Sequence, residues 1–245
     1  MSTFVLVHGA WQTASAWDLV SPKLRAAGHA VTIPLLSGLE NDSNQISPAI
    51  TLQTHIDDVV VAIVRENLQN VTLVGHSYAG MIITGVAERM ANRLDRLVYV
   101  DALVPGDGQS ALDIMPEAIG QLFRRDAQSS GDGWRLPAVE AQLDMWGLRP
   151  GPAREFVRAR LSDFSIRCFE DRIKLPTNAA AKMPRTFIAG VAEGYPARQI
   201  FQPFGDRAKR EGWTYYELPT GHECHVEMPD AFVSLLTGER GAATA

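Results

Sequence analysis

The sequence predicts one α/β domain: a mostly parallel sheet of about six strands, helices on both of its faces, and one helical insertion. Three observations carry this. Short β-branched runs alternate with segments of helical spacing. One such run, Val71-Thr72-Leu73-Val74, ends in Gly75-His76-Ser77-Tyr78-Ala79-Gly80 and passes at once into the apolar stretch Met81-Ile82-Ile83. The alternation then stops near Pro105 and resumes only after Lys182.

In chain order, residues 4–8 read as a buried strand and residues 17–27 as a helix ending at Gly28. Residues 30–34 are the next strand. Residues 52–67 carry apolar side chains at Ile56, Val59, Val60, Ile63 and Val64, the spacing of one helical face. The run at Val71 and the helix after Ser77 follow, then a strand at 94–100. Beyond Pro105 no clear strand is legible, only amphipathic pieces rich in bulky residues, which predicts a helical cap. The second half of the core follows with a strand at 185–189, a helix at 198–211, a strand at 214–218 and a last helix at 229–236. The expected organisation is therefore a first part of the core at 1–105, a cap at 106–182 and the second part of the core at 183–245, with the tail from Thr237 frayed.

The bulk composition narrows the function classes. A chain of 245 residues with 46% hydrophobic and 21% charged residues is globular. A net charge of −5 offers no basic face for a phosphate backbone, so nucleic acid is not an expected partner. No apolar run reaches the roughly 20 residues of a membrane span, and residues 1–7 show no signal-peptide pattern. The two cysteines, Cys168 and Cys224, form no framework, which predicts a reduced cytoplasmic protein. A homodimer is an assembly the sequence allows.

The chemistry centres on Ser77. A strand that turns sharply into a helix exposes its apical residue, and the helix aims N–H groups at the same place. Small neighbours are needed where strand and helix nearly touch. Gly75, Ala79 and Gly80 supply them, with Ala79 one methyl larger than the usual glycine. A serine hydroxyl needs a base to take its proton, and in this architecture the order is serine, acid, histidine. His222 follows the last strand in Leu218-Pro219-Thr220-Gly221-His222 and is the expected base. His225 lies further toward the closing helix, and His76 is adjacent to the serine and points away from it. Two carboxylates compete for the acid. Asp101 ends the strand at 94–100 and is preferred. Glu193, in the loop after the strand at 185–189, is the alternative. The expected oxyanion donors are the N–H groups of Tyr78 and Ala10, the latter turned inward by Gly9. Trp11, Met115, Phe123, Trp134 and Trp146 are the expected substrate-binding side chains, with Phe164 nearby. His8 is expected to brace its loop. Gly106-Asp107-Gly108 and Gly131-Asp132-Gly133 read as turns, and His222-Glu223-Cys224-His225 is too compressed for a usual zinc site, so no metal is expected.

Phe4-Val5-Leu6-Val7-His8-Gly9-Ala10-Trp11, Gly75-His76-Ser77-Tyr78-Ala79-Gly80 and Gly221-His222 followed by Met228-Pro229 together resemble the α/β-hydrolases. The likeness covers nearly the whole chain and is strongest to plant hydroxynitrile lyases, salicylate-binding methylesterases and their bacterial esterase relatives. It implies a serine–histidine–acid triad, a lid and no cofactor, and it carries the nucleophile, base and oxyanion roles onto Ser77, His222, Ala10 and Tyr78. Two departures matter. The lyases have threonine at Gly9 and lysine at Glu223, and a lyase needs that cation for departing cyanide. The resemblance thus points to a serine carboxylesterase acting on small to medium apolar esters. The plant members take their acid from the loop that holds Glu193, whereas some dehalogenases use the strand end matching Asp101. A C–C hydrolase or lyase on the same fold, and a ligand-binding receptor with weak turnover, remain the other hypotheses.

Overall fold

The computed structural model describes residues 1–39 and 46–238. The tail is expected to fray from Thr237, but Thr237 closes the last helix and Gly238 caps it; residues 239–245 lie outside the described residues. The first half of the core runs β1 (Thr3–Val7), α1 (Ser21–Ala26), β2 (Ala30–Thr32), α2 (Leu52–Arg65), β3 (Val71–His76), α3 (Ala79–Met90) and β4 (Leu94–Val100). The intervening segment holds α4 (Ala111–Ile114), α5 (Glu117–Ser130), β5 (Arg135–Leu136), α6 (Glu140–Met145), α7 (Pro152–Arg158), β6 (Phe164–Ser165) and α8 (Arg167–Glu170). The core resumes with β7 (Arg185–Gly190), α9 (Arg198–Arg210), β8 (Thr214–Leu218), α10 (Cys224–Glu227) and α11 (Pro229–Thr237).

Among the described residues, six strands form one sheet in the order β2-β1-β3-β4-β7-β8, every pairing parallel. Side chains alternate across its faces. Phe4 and Leu6 of β1, Val74 of β3 and Val98 of β4 pack with Trp17, Leu24 and Phe232, on the side of α1 and α11. Val5, Val7, Leu73 and Tyr99 join the opposite core with the buried faces of α2, α3 and α9. Each fully buried Val, Leu or Phe stabilises the fold by about 1.5–3 kcal/mol relative to exposure, so the two faces hold helices tightly on both sides.

Local signals place the helix ends. Thr51 caps α2, its hydroxyl accepting from the Gln53 amide, while Thr54 reciprocates onto the Thr51 amide. Pro229 opens α11 and Gly238, at φ 72°, closes it.

Three differences from the sequence expectation have physical reasons. The helix expected from Trp17 begins at Ser21, because Ala14–Trp17 forms a separate 3-10 turn. A short α10 precedes α11. And the stretch expected to lack strands contains a two-stranded antiparallel sheet, β5 against β6, with Leu136 opposite Phe164. Two-residue strands are too short to show any period.

Register fixes where function can sit. Val7 pairs with Gly75, Gly75 with Tyr99, Tyr99 with Phe187 and Gly190 with Leu218. The C-terminal ends of β1, β3, β4, β7 and β8 therefore lie along one edge. The loops at 8–12, 77–78, 101–105, 191–197 and 219–223 share it, where open parallel sheets place ligands. Met115 and side chains from α5 and α6 roof a cavity whose floor includes Ser77 and His222.

Candidate active site

Ser77 stands between β3 and α3 with φ 58°, in the left-handed region that non-glycine residues rarely adopt. Such a conformation costs about 1–3 kcal/mol and persists only where the surroundings fix it. They do so here through three backbone hydrogen bonds. The Ser77 amide donates to the Val100 carbonyl at 3.0 Å, and the Ser77 carbonyl accepts from the amides of Gly80 and Leu103, both at 3.1 Å. Gly80 lets this contact form, because a Cβ there would overlap the Leu103 carbonyl oxygen unless the loop moved. Ala79 is accommodated, buried against the core. Gly9 is equally constrained: a Cβ would lie 2.9 Å from the Ser77 Cβ. The loop after β1 thus runs directly against the serine, bringing the Gly9–Ala10 backbone beside it.

His222 follows β8 and is held from several directions. Its amide donates to the Trp146 carbonyl at 2.9 Å and its carbonyl contacts His76 Nε2 at 3.0 Å. Its ring stacks on Phe201 at 4.6 Å between centroids. Its Nδ1 lies 2.7 Å from Asp101 Oδ2. Asp101 directly follows β4 at φ 42°, donates its amide to the Ile188 carbonyl at 2.7 Å, and accepts at Oδ1 from the Gly190 amide at 3.3 Å. Burial pushes the Asp101 carboxyl up to about 7, while hydrogen bonds from Tyr195 and Gly190 pull it down. Burial lowers the His222 imidazole, so it rests neutral and can accept a proton.

The two candidate acids are therefore separated by geometry. Asp101 contacts His222. Glu193 is exposed and lines a different surface groove together with Asp144, Arg149 and Glu227. The side chain of that loop that reaches the pair is Tyr195, whose hydroxyl donates to Asp101 Oδ2 at 2.6 Å and stands 3.1 Å from His222 Nδ1. Nothing in the sequence singled out Tyr195, because an aromatic residue in a loop is indistinguishable from packing until the loop is folded.

Ser77, Tyr78 and His222 open on a cavity of about 420 Å³. Trp11, Met115, Phe123 and Trp146 line it as expected from the sequence, and Phe169 and Phe201 join them. Trp134 does not line it: its backbone closes the turn into β5 and receives the Ile166 amide at 2.8 Å, which directs that residue to the small sheet. Phe164 also lies off the lining, buried under Trp11 and Tyr78. Bulk and apolarity identified these residues as candidates, but spacing carries no information on which way an inserted segment faces.

Glu223 needs a correction. A glutamate where the lyases carry lysine would by sequence alone bring a negative charge to the site. Instead it is fully buried, off the cavity lining, and receives Gln12 Nε2 at 2.7 Å. Burial pushes it up to about 8, so it is uncharged at neutral pH. The chain also recruits His76 from β3 beside it: possible ligand atoms of His76, Glu223 and His225 lie within 4.8 Å of one another, all buried. The compressed spacing of residues 222–225 gave no hint of that grouping, since His76 comes from a distant strand.

The geometry now meets what comparison with known proteins shows. The family model described as "Alpha/beta hydrolase family" matches residues 4–235. The chain belongs to the alpha/beta hydrolase family. It is 34% identical over 249 residues to the carbendazim hydrolyzing esterase of Nocardioides sp. (strain SG-4G), across 96% of this chain and 98% of that protein. This likeness sets it among the ester-cleaving members of the family. An extracellular alpha/beta-hydrolase from a Paenibacillus species superposes with a TM-score of 0.83 at 23% identity, covering 97% of this chain and 98% of that one. A pyrethroid hydrolase from Sphingobium faniae JZ-2 gives a TM-score of 0.74 at 21% identity, covering 97% and 96%. At these identities the two structures speak for the fold. No helix among the described residues of this hydrolase is long and apolar enough to cross a membrane.

Proposed function

We propose that this hydrolase is a serine carboxylesterase that cleaves compact apolar esters through an acyl-enzyme. One observation carries the reading: a backbone-strained Ser77 and His222, itself held by Asp101, open on the same apolar cavity. In this mechanism His222 Nε2 takes the Ser77 hydroxyl proton as Oγ attacks the ester carbonyl. The N–H groups of Ala10 and Tyr78 hold the oxyanion, and Asp101 stabilises the imidazolium. His222 then gives the proton to the departing alkoxide oxygen. Water, activated by the same imidazole, releases the acid and regenerates Ser77.

The size and lining of the cavity suit a flat aromatic ester or carbamate, and carbendazim, the substrate in the name of the Nocardioides relative, is the first compound to try. Among the described residues no Lys or Arg lines the cavity, so no cation faces a departing cyanide, which favours ester cleavage over lyase chemistry. Two buried free thiols, Cys168 and Cys224, suit a reducing cytoplasmic setting. The test is burst kinetics with p-nitrophenyl esters from acetate to decanoate, together with phosphonate labelling of Ser77. A pre-steady-state burst that disappears in Ser77→Ala is expected. Ester hydrolysis undiminished by that substitution would sink the reading.

A further inference from the structure

Tyr195 is buried against the proposed catalytic pair, His222 and Asp101. It is 5% exposed, and its ring stacks on His222 with 28° between the planes. Its hydroxyl, Asp101 Oδ2 and His222 Nδ1 form a triangle with edges of 2.6, 2.7 and 3.1 Å. The loop that carries it is fixed at both ends. Val191 and Ala192 donate to the Leu218 and Thr220 carbonyls at 2.9 Å each, and Ala197 donates to the Met145 carbonyl at 3.0 Å. The segment therefore returns Tyr195 to one place, between the core and the roof of the cavity.

We infer that Tyr195 is a positioning residue that holds the Asp101 carboxylate ionised and oriented, and through it sets the lower pH limit of catalysis. This inference rests on the serine esterase reading. The hydrogen budget of the triangle supports it. Asp101 Oδ2 is a carboxylate oxygen that accepts from both neighbours. The Tyr195 O–H must donate to it, because His222 Nδ1 already carries the proton it shares with the same oxygen. That arrangement keeps Nδ1 protonated and leaves Nε2 free as the base. In so buried a position the carboxylate has little water to stabilise it. The Gly190 amide and the Tyr195 hydroxyl are the donors it has besides His222. Burial and the facing carboxylate both push the Tyr195 hydroxyl well above the ordinary phenol value, so it remains a donor across the working range. The other titratable or charged groups facing Asp101 are Arg198 at the start of α9, Glu223 just before α10 and Cys224 at its first position. None of these three donates a hydrogen bond to the carboxylate among the contacts of Asp101.

Activity needs Asp101 ionised, so it falls as the pH drops through the carboxylate's titration. Losing a donor makes the carboxylate more basic and moves that limb upward. Tyr195→Phe is expected to raise the acid limb of kcat/KM by about one pH unit, the weight of one charge-assisted hydrogen bond. The loss then reaches about tenfold below the limb and stays under about threefold near pH 9. Replacing Tyr195 with 3-fluorotyrosine, a stronger donor of nearly the same shape, is expected to move the limb downward. In an Asp101→Asn background, Tyr195→Phe should change kcat/KM by less than about twofold. A uniform loss at every pH, a limb unmoved by both substitutions, or an undiminished loss in the Asp101→Asn background would overturn the role. If Tyr195→Phe does not fold, the fluorotyrosine arm decides alone. Wild-type burst kinetics and the Ser77→Ala control run in the same assay. Failure of the esterase reading appears there as a missing burst, whatever the Tyr195 variants do.

Discussion

Asp101 and Glu193 differ by more than distance from His222. Asp101 is buried, receives three donors and has its backbone pinned at φ 42° by the Ile188 carbonyl, so its carboxylate has a single direction. Glu193 is solvated and its preference for one orientation is correspondingly weak. Asp101→Asn is expected to lower kcat by about 1,000- to 10,000-fold, because an amide at that place favours the wrong imidazole tautomer. Glu193→Gln should leave kcat within about twofold, the ordinary result of a change at a solvated position. Steady-state rates of both variants, read against circular dichroism to show that each is folded, decide the matter. Comparable losses in the two would mean that the acid role is not Asp101's alone.

At the scale of elements, the contact between α3 and the loop after β4 is what keeps Ser77 in place. Gly80 lets the Leu103 carbonyl pass, and the Leu103 amide in turn holds the Ser77 carbonyl at 3.1 Å. Gly80→Ala gains up to about 1 kcal/mol of helix propensity but forces α3 away from that loop. The net expectation is a loss of about 2 kcal/mol, seen as a melting temperature lower by about 4–8 °C, with kcat falling further than stability accounts for. An unchanged melting temperature would show that the loop after β4 yields freely. Elements of this kind were readable from residues alone to different degrees. The strands at 94–100 and 214–218 match the observed bounds, since β-branched runs bounded by turn residues carry the signal within a few residues. The small residues at 75, 79 and 80 announced a close strand–helix approach for the same reason. β5 and β6 have two residues each and no period to read. Trp134 shows the other limit: an apolar side chain in an insertion is recognisable as buried, but its partner is set by tertiary packing. Tyr195 and the pairing of Gln12 with Glu223 arise only when loops from opposite ends of the chain meet.

For the molecule as a whole, the buried titratable groups fix how stability depends on pH. His8, His55, His76 and His225 are buried and their imidazoles lie below the usual 6.5, His8 at about 4, chiefly because burial disfavours the charged ring. In the unfolded chain these four bind protons below about pH 6.5, while the folded protein does not, so the unfolded state gains as pH falls. Glu223 acts in the other direction. Burial raises it to about 8, so between about pH 4.5 and 8 the unfolded chain has released a proton that the folded protein retains, and stability declines as pH rises. Below about pH 6.5 the buried histidines, His222 among them, outweigh the raised carboxyls of Glu223 and Asp101, so stability falls as the pH drops. Between pH 6.5 and 8 Glu223 contributes an expected loss of about 2 kcal/mol, and Asp101, raised to about 7, adds to the decline up to that pH. Stability should therefore peak near pH 6.5. Glu223→Gln keeps an acceptor for Gln12 and removes the ionisation, so it should flatten the alkaline side and steepen the acid side above about pH 4.5. Denaturant unfolding from pH 5 to 8.5 on wild type and Glu223→Gln measures both limbs. An alkaline decline of equal slope in the two proteins would show that the Glu223 carboxyl is not what the folded state keeps protonated.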